Sequence, residues 1–204
     1  MLSRLQHKRR YLVGILVLVL MISMGLNLYD HFVTLPRMQA TMNDMRVRAF
    51  HSWRDEMSAT AHLLERAETL EDLRHADDHL YYAMGSVATL FTGVDTGYYT
   101  APLYYWISRA TPFLQNAVQQ IRGLVYKNSS ALDDEFISSR IANITQAVYD
   151  IATALSASAI GERWRSLGVD LIQQFRDEGK LTEMIDYCRQ IAETSQEITD
   201  YIGY

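Results

Sequence analysis

The stretch EDLRHADDHLYY, Glu71 to Tyr82, gathers carboxylates and imidazoles at a spacing that suits metal chemistry. On a helix, Glu71, His75 and His79 stand four apart and share one face, with Asp78 and Tyr82 beside them. Histidines at i and i+4 can hold one divalent ion, and a carboxylate a turn earlier can complete the set. A water on such an ion would make the chain a metal-dependent hydrolase. That face lies opposite the stripe of Leu73, Leu80 and Met84, and no HExxH pattern is present. The preferred reading is therefore a solvated polar face, with no cofactor expected, although His51 and His62 on the preceding segment are further imidazoles within reach of such a site.

Asp77 is placed differently. It falls inside the apolar stripe, where a carboxylate must find hydrogen bonds or a cation, or stay protonated. The expectation is a polar contact that sets register with a neighbouring helix, supplied by an arginine or a tyrosine, rather than a catalytic acid. Cys188 is the single cysteine, which excludes a disulfide within the chain, and its position on an apolar stripe predicts an inert buried thiol. GxSxG, P-loop, SxxK and CxxC patterns are all missing from the sequence, so nucleophilic catalysis has no foothold.

The stretch GVDTGYYTAPLYYW, Gly93 to Trp106, sets Tyr98, Tyr99, Tyr104, Tyr105 and Trp106 around a turn. Adjacent helical residues diverge by about 100°, so one core cannot take both members of a tyrosine pair. Packing over a helix junction explains part of this stretch. Tyr98, Tyr99 and Tyr105 are the expected ligand-binding or partner-binding members, with Tyr104 and Trp106 beside the stripe of Leu103 and Ile107. The methionines of the first helix beyond Asp30 read as core filler, the alternative being an adaptable peptide groove.

These groups need helices to position them. Residues Tyr11–Tyr29 contain no charge, and as a helix they reach roughly 28 Å, close to the hydrocarbon thickness of a bilayer. Arg4, Lys8, Arg9 and Arg10 precede this run with no acid, and Asp30 follows it. The positive-inside rule then places residues 1–10 in the cytoplasm, makes 11–29 a transmembrane signal-anchor, and puts 30–204 outside. A cleaved signal peptide, with Ser23 and Gly25 before the cut, is the competing reading, but the apolar run exceeds a usual h-region. With about ten residues inside, no cytoplasmic output domain is expected.

Of the 204 residues, 19 are basic and 24 acidic, and with four basic residues ahead of Asp30 the remainder holds 15 against 24, a net charge of −9. So acidic a body repels phosphate backbones, and no nucleic-acid partner is expected.

Beyond Asp30 the periodicity is helical throughout, and no stretch alternates as a strand does. A first helix runs from about Pro36 to Ala67 on Met38, Met42, Met45, Ala49, Trp53, Met57 and Leu64. A second starts at the cap Thr69 with Asp72 three residues on, and uses Leu70, Leu73, Leu80, Met84, Val87 and Phe91. A third opens at Pro102 on Leu103, Ile107, Ala110, Leu114, Ile121 and Val125, with Pro112 either kinking it or starting a new one. A fourth follows a cap in Ser130 to Asp133 and uses Ile137, Ile141, Ile144, Val148, Ile151 and Leu155. A short helix from Trp164 to Phe175 stops at Gly179, a left-handed cap. The last carries Leu181, Ile185, Cys188, Ile191, Ser195, Ile198 and Ile202.

The expected fold is all-α: an N-terminal transmembrane helix followed by an extracytoplasmic antiparallel helical bundle of five or six helices, in one domain. The expected function is a non-enzymatic binding or interaction module of the cell envelope, with the membrane and an envelope protein as partners. An exported sensor-type ligand-binding domain working through a separate partner is the alternative, ahead of the hydrolase.

Overall fold

The computed structural model describes residues 2–90, 102–156, 176 and 179–203, and among these there is no β-strand. The chain divides into two compact units, Met1–Thr41 and Met42–Tyr204.

Helix α1 (Leu2–Tyr29) contains the long apolar run, and a π-helical turn (Asp30–Thr34) follows it. Every side chain described from Val13 to Tyr29 is exposed, with the large aliphatic ones lying between 48% for Val17 and 68% for Met21. Helix α2 (Leu35–Glu65) comes next. Its second residue is Pro36, which comes just after the π-helical turn, the kind of place where a proline interrupts the helical hydrogen-bond ladder.

In the second unit the core begins at Val47, and α2 contributes Phe50, Trp53, Met57, Ala61 and Leu64 to it. Of the expected stripe, Met38 and Met45 are exposed and Met42 is half-buried, while Ala49, Trp53, Met57 and Leu64 are buried as expected and are joined by Phe50 and Ala61. The bulky Trp53 orients the helix, since its ring is fully buried beside Phe50 and its indole N–H donates to the Thr111 hydroxyl at 2.8 Å. An aromatic ring of this area outweighs two flexible methionines in deciding which face turns inward.

Helix α3 (Leu70–Leu90) opens on the expected capping box. Asp72 Oδ2 accepts from the Thr69 N–H at 2.9 Å and from the Thr69 hydroxyl at 2.7 Å, while the Asp72 N–H donates to Thr69 Oγ1 at 3.3 Å. These bonds favour the ionised form and hold the Asp72 carboxyl below its ordinary range. The buried positions are Leu73, Ala76, Leu80, Ala83, Val87 and Leu90, an unbroken three-four spacing. Leu70 and Met84 stand outside it and are exposed, because the alanines hold the inward positions and allow close helix approach. Phe91 lies outside the described residues.

Helix α4 (Pro102–Lys127) buries all six residues of its expected stripe and passes through Pro112 without a new start. The ring deletes one N–H, while the buried face on both sides of it keeps the helix in register. A 3₁₀ turn (Ser129–Asp133) leads to α5 (Glu135–Ser156). The cap of α5 is Asp134, not a residue of Ser130–Asp133: its Oδ1 accepts from the N–H groups of Phe136 and Ile137 at 2.9 and 3.1 Å. The 3₁₀ turn takes up the residues that the sequence pattern assigned to the cap. Ile137, Ile141, Ile144, Val148 and Ile151 are buried as expected.

The expected short helix from Trp164 to Phe175 lies outside the described residues. Gly179 has φ +70° and donates its N–H to the Arg176 carbonyl at 3.0 Å, the left-handed conformation that glycine adopts without a Cβ penalty. Helix α6 (Leu181–Ile202) then buries Met184, Cys188, Ile191, Ser195 and Ile198, with Ile185 and Ile202 half-buried at the edge. In this unit α4 packs against α3 and α6, and α6 also packs against α5.

Candidate functional site

The aromatic stretch is described from Pro102 onward, so Tyr98 and Tyr99 lie outside the described residues. In the first turns of α4 the rings separate as helical geometry requires. Tyr104 is 1% exposed and belongs to the core, whereas Tyr105 is 41% exposed. Trp106 is half-buried against the core and meets Tyr105 edge-on, with ring centroids 5.2 Å apart. The Arg109 guanidinium, one turn on, lies over the Tyr105 ring at 4.4 Å from its centroid. The result is an exposed ring clamped between an arginine and a tryptophan, a pre-organised contact of the kind enriched at protein interfaces.

The Glu71, His75 and His79 trio is split between two carboxylates. His75 Nε2 lies 3.2 Å from Glu71 Oε1, both side chains being exposed. His79 turns instead to α2, where its Nδ1 is 2.7 Å from Glu56 Oε2. Sequence reasoning did not identify Glu56, because nothing local ties it to a histidine 23 residues later. Among the described residues, no three His, Cys, Asp or Glu side chains stand close enough to share a metal ion. Above this pair, Ser86 Oγ reaches Ser52 Oγ at 2.9 Å and the Tyr82 carbonyl at 3.3 Å. These groups line a shallow groove between α2 and α3 with Met45, Arg48 and Gly85. Neither hydroxyl is bonded to His79.

His51 stands on the same helix as Glu56. Burial first, and then the charge of Arg54, hold its imidazole below the ordinary range, with Asp55 pulling the other way.

Asp77 takes the register contact expected of it. Arg122 Nη1 donates to its Oδ2 at 3.0 Å, and the amides of Gln115 and Gln119 donate to its Oδ1 at 3.0 and 3.2 Å. The donors stand three or four apart on α4, so one carboxylate on α3 spans two turns of its neighbour. Asp77 is thus a tie between α3 and α4. Cys188 is wholly buried, and burial pushes its thiol far above the ordinary range, which disfavours the reactive thiolate.

A more enclosed hollow lies between the end of α2 and the middle of α5. It has a volume of about 380 Å³, with Leu64, Leu132 and Ile141 on its apolar side and Glu65, Thr145 and Tyr149 on its polar side. The Tyr149 hydroxyl donates to Glu65 Oε2 at 3.0 Å. Desolvation, followed by this bond, raises the phenol above its ordinary range, so it remains a neutral donor. The sequence reading missed this hollow, since its walls come from segments about eighty residues apart and each residue fits its own helix without strain.

No family model, curated protein or solved structure matches this chain.

Proposed function

We propose that this chain is a non-enzymatic interaction module of the cell envelope: an antiparallel helical bundle tethered outside the cytoplasm by its N-terminal helix, with an envelope protein as its partner. The observation that carries the reading is the row of exposed aliphatic side chains along α1 from Val13 to Leu28. In water that row is unfavourable. In a bilayer its leucine, isoleucine and valine residues each favour insertion by about 0.3–0.6 kcal/mol, several kcal/mol together. One apolar helix near the N-terminus is also what a signal sequence presents, and the continuation of the run to Leu28 and Tyr29 favours an anchor. The orientation rests on charge, with Arg4, Lys8, Arg9 and Arg10 before the run and Asp30 after it.

The non-enzymatic part rests on how the described side chains are used. Asp77 is bonded to three donors, Cys188 is buried, and the two histidines of α3 face separate carboxylates. The clamped Tyr105 is the best candidate contact for a partner.

A reporter active only outside the cytoplasm, fused after Tyr204, should be active, and the chain should stay in membranes through a carbonate wash. A photocrosslinking side chain at position 105 should trap one discrete membrane-associated species. A cytoplasm-only reporter working at that fusion would overturn the topology; crosslinking no stronger at 105 than at exposed Tyr126 would remove Tyr105 from the interface.

A further inference from the structure

Helix α3 changes character halfway along its exposed side. Its first half exposes Glu71, Arg74, His75 and Asp78. From Leu80 to Leu90 it carries no charged residue, and the exposed positions are Tyr81, Tyr82, Met84, Gly85 and Ala88. Tyr81 and Tyr82 are 69% and 62% exposed, with ring centroids 6.0 Å apart. A surface poor in charge and rich in tyrosine and methionine has the composition of an interface centre.

Gly85 lies in the middle of this stretch, and among the described residues nothing in the chain calls for it. Glycine weakens a helix interior. Gly85 has no positive φ to require it, and a Cβ there would meet no atom within 4 Å. What the glycine does is keep open the groove of about 470 Å³ between α2 and α3. The small side chains of Ala49, Ser52 and Ser86 line that groove with it, and the long ones of Met45 and Tyr82 stand beside them. Gly123 on α4 is equally open, but it sits among Arg74, Arg122 and Lys127.

We propose that a second copy of this chain packs on the α2–α3 face, the two related by a two-fold axis, with the tyrosines of each against the other's groove at Gly85. A two-fold contact needs one patch that holds both a projecting and a receiving part. This patch holds both within a turn of α3. Charge agrees. Two bodies of net charge −9 repel over most of their surface, so they meet best where no charge is left unpaired. The charged residues lining the groove are bonded within their own chain, Arg48 to Asp44 and Glu56 to His79, each at 2.7 Å. A partner selected by opposite charge would find nothing to hold here. The four tyrosines of a pair would hide roughly 400–650 Å², about a third of a standard interface of about 1,600 Å², and Met45 and Met84 extend it. The proposal goes beyond the envelope-interaction role and does not depend on it, because it concerns α3 and not Tyr105 and is read on the purified chain whatever its topology.

The test is the mass of the full chain in detergent, by sedimentation with the detergent contribution matched out. At about 10–50 μM the protein should sediment at twice the chain mass. Gly85→Arg should raise the dissociation constant about thirtyfold or more, the scale of losing a central contact. Its helical circular dichroism should not change, because the position is open within one chain. Tyr81→Arg should also unpair the chain, and it decides alone if Gly85→Arg loses helix, since that ring already stands outside the fold. Gly123→Arg, the same change at the other open glycine, should leave the pair intact. A benzophenone side chain at position 81 should join two copies of this chain, with mass spectrometry placing the joint in the α2–α3 groove. A single-chain mass for the unmodified protein overturns the proposal, as does a pair that survives a folded Gly85→Arg or Tyr81→Arg. Equal loss of pairing in Gly123→Arg, or a crosslink only to some other protein, overturns it too.

Discussion

The same substitution at two buried threonines should move stability in opposite directions. Thr111 and Trp53 are both 0% exposed, and the indole N–H donates to Thr111 Oγ1 at 2.8 Å. Thr111→Val preserves shape and leaves that N–H buried without an acceptor, a loss of about 1–3 kcal/mol. Taking about 2 kcal/mol, and about 2–4 °C per kcal/mol for a chain of this size, the melting temperature should fall by roughly 4–8 °C. Thr145 is equally enclosed, but its hydroxyl has no partner, so Thr145→Val removes a desolvated group that nothing repays. That change should stabilise by about 1 kcal/mol, a rise of roughly 2–4 °C. Helix propensities of the two residues are close enough not to reverse either sign. Thermal melting followed by tryptophan fluorescence in detergent suits the test, because Trp53 reports the packing in question. Thr111→Ser, which keeps the acceptor, should melt well above Thr111→Val after allowance for the lost methyl. The reasoning fails if both valine variants move in the same direction, or if Thr145→Val destabilises by more than about 0.5 kcal/mol.

Asp77→Ala should destabilise by about 1–2 kcal/mol, reduced from the full worth of a charged network because Arg122 is 41% exposed, and Asp77→Leu with Arg122→Met should recover most of it; denaturant midpoints of the three variants decide. His51 is held below its ordinary value of 6.5, so the unfolded chain takes up that proton first on acidification. The stability contributed by its neutral form is complete above 6.5 and declines as pH falls from there towards the folded value. Urea titrations at several pH values should show this slope weakened in His51→Asn. Tyr104→Ala should cost about 3–5 kcal/mol, and Tyr105→Ala far less because that ring is already 41% exposed, as paired melting curves would show.

The sequence by itself determined the helices. Their buried residues recur every three or four positions, a consequence of 3.6 residues per turn that needs no knowledge of neighbours. The α4 stripe, the isoleucines of α5, the Thr69–Asp72 capping box and the left-handed Gly179 were all legible for that reason, since each depends on groups a few residues apart. Periodicity also narrows a face without choosing its centre. Whether α2 turns Met45 or Phe50 inward, and whether Met84 or Ala83 meets the neighbour of α3, depends on volumes contributed by other helices. The same holds for polar groups. Asp77 declared itself by standing in an apolar stripe, but its donors Gln115, Gln119 and Arg122 come from α4. His79 pairs with Glu56 and not with the histidine one turn away because the space between α2 and α3 brings the carboxylate to 2.7 Å. The unpartnered Thr145 and the hollow beside it are tertiary for the same reason: a missing bond is a property of everything packed around an atom, and no local pattern in the chain encodes it.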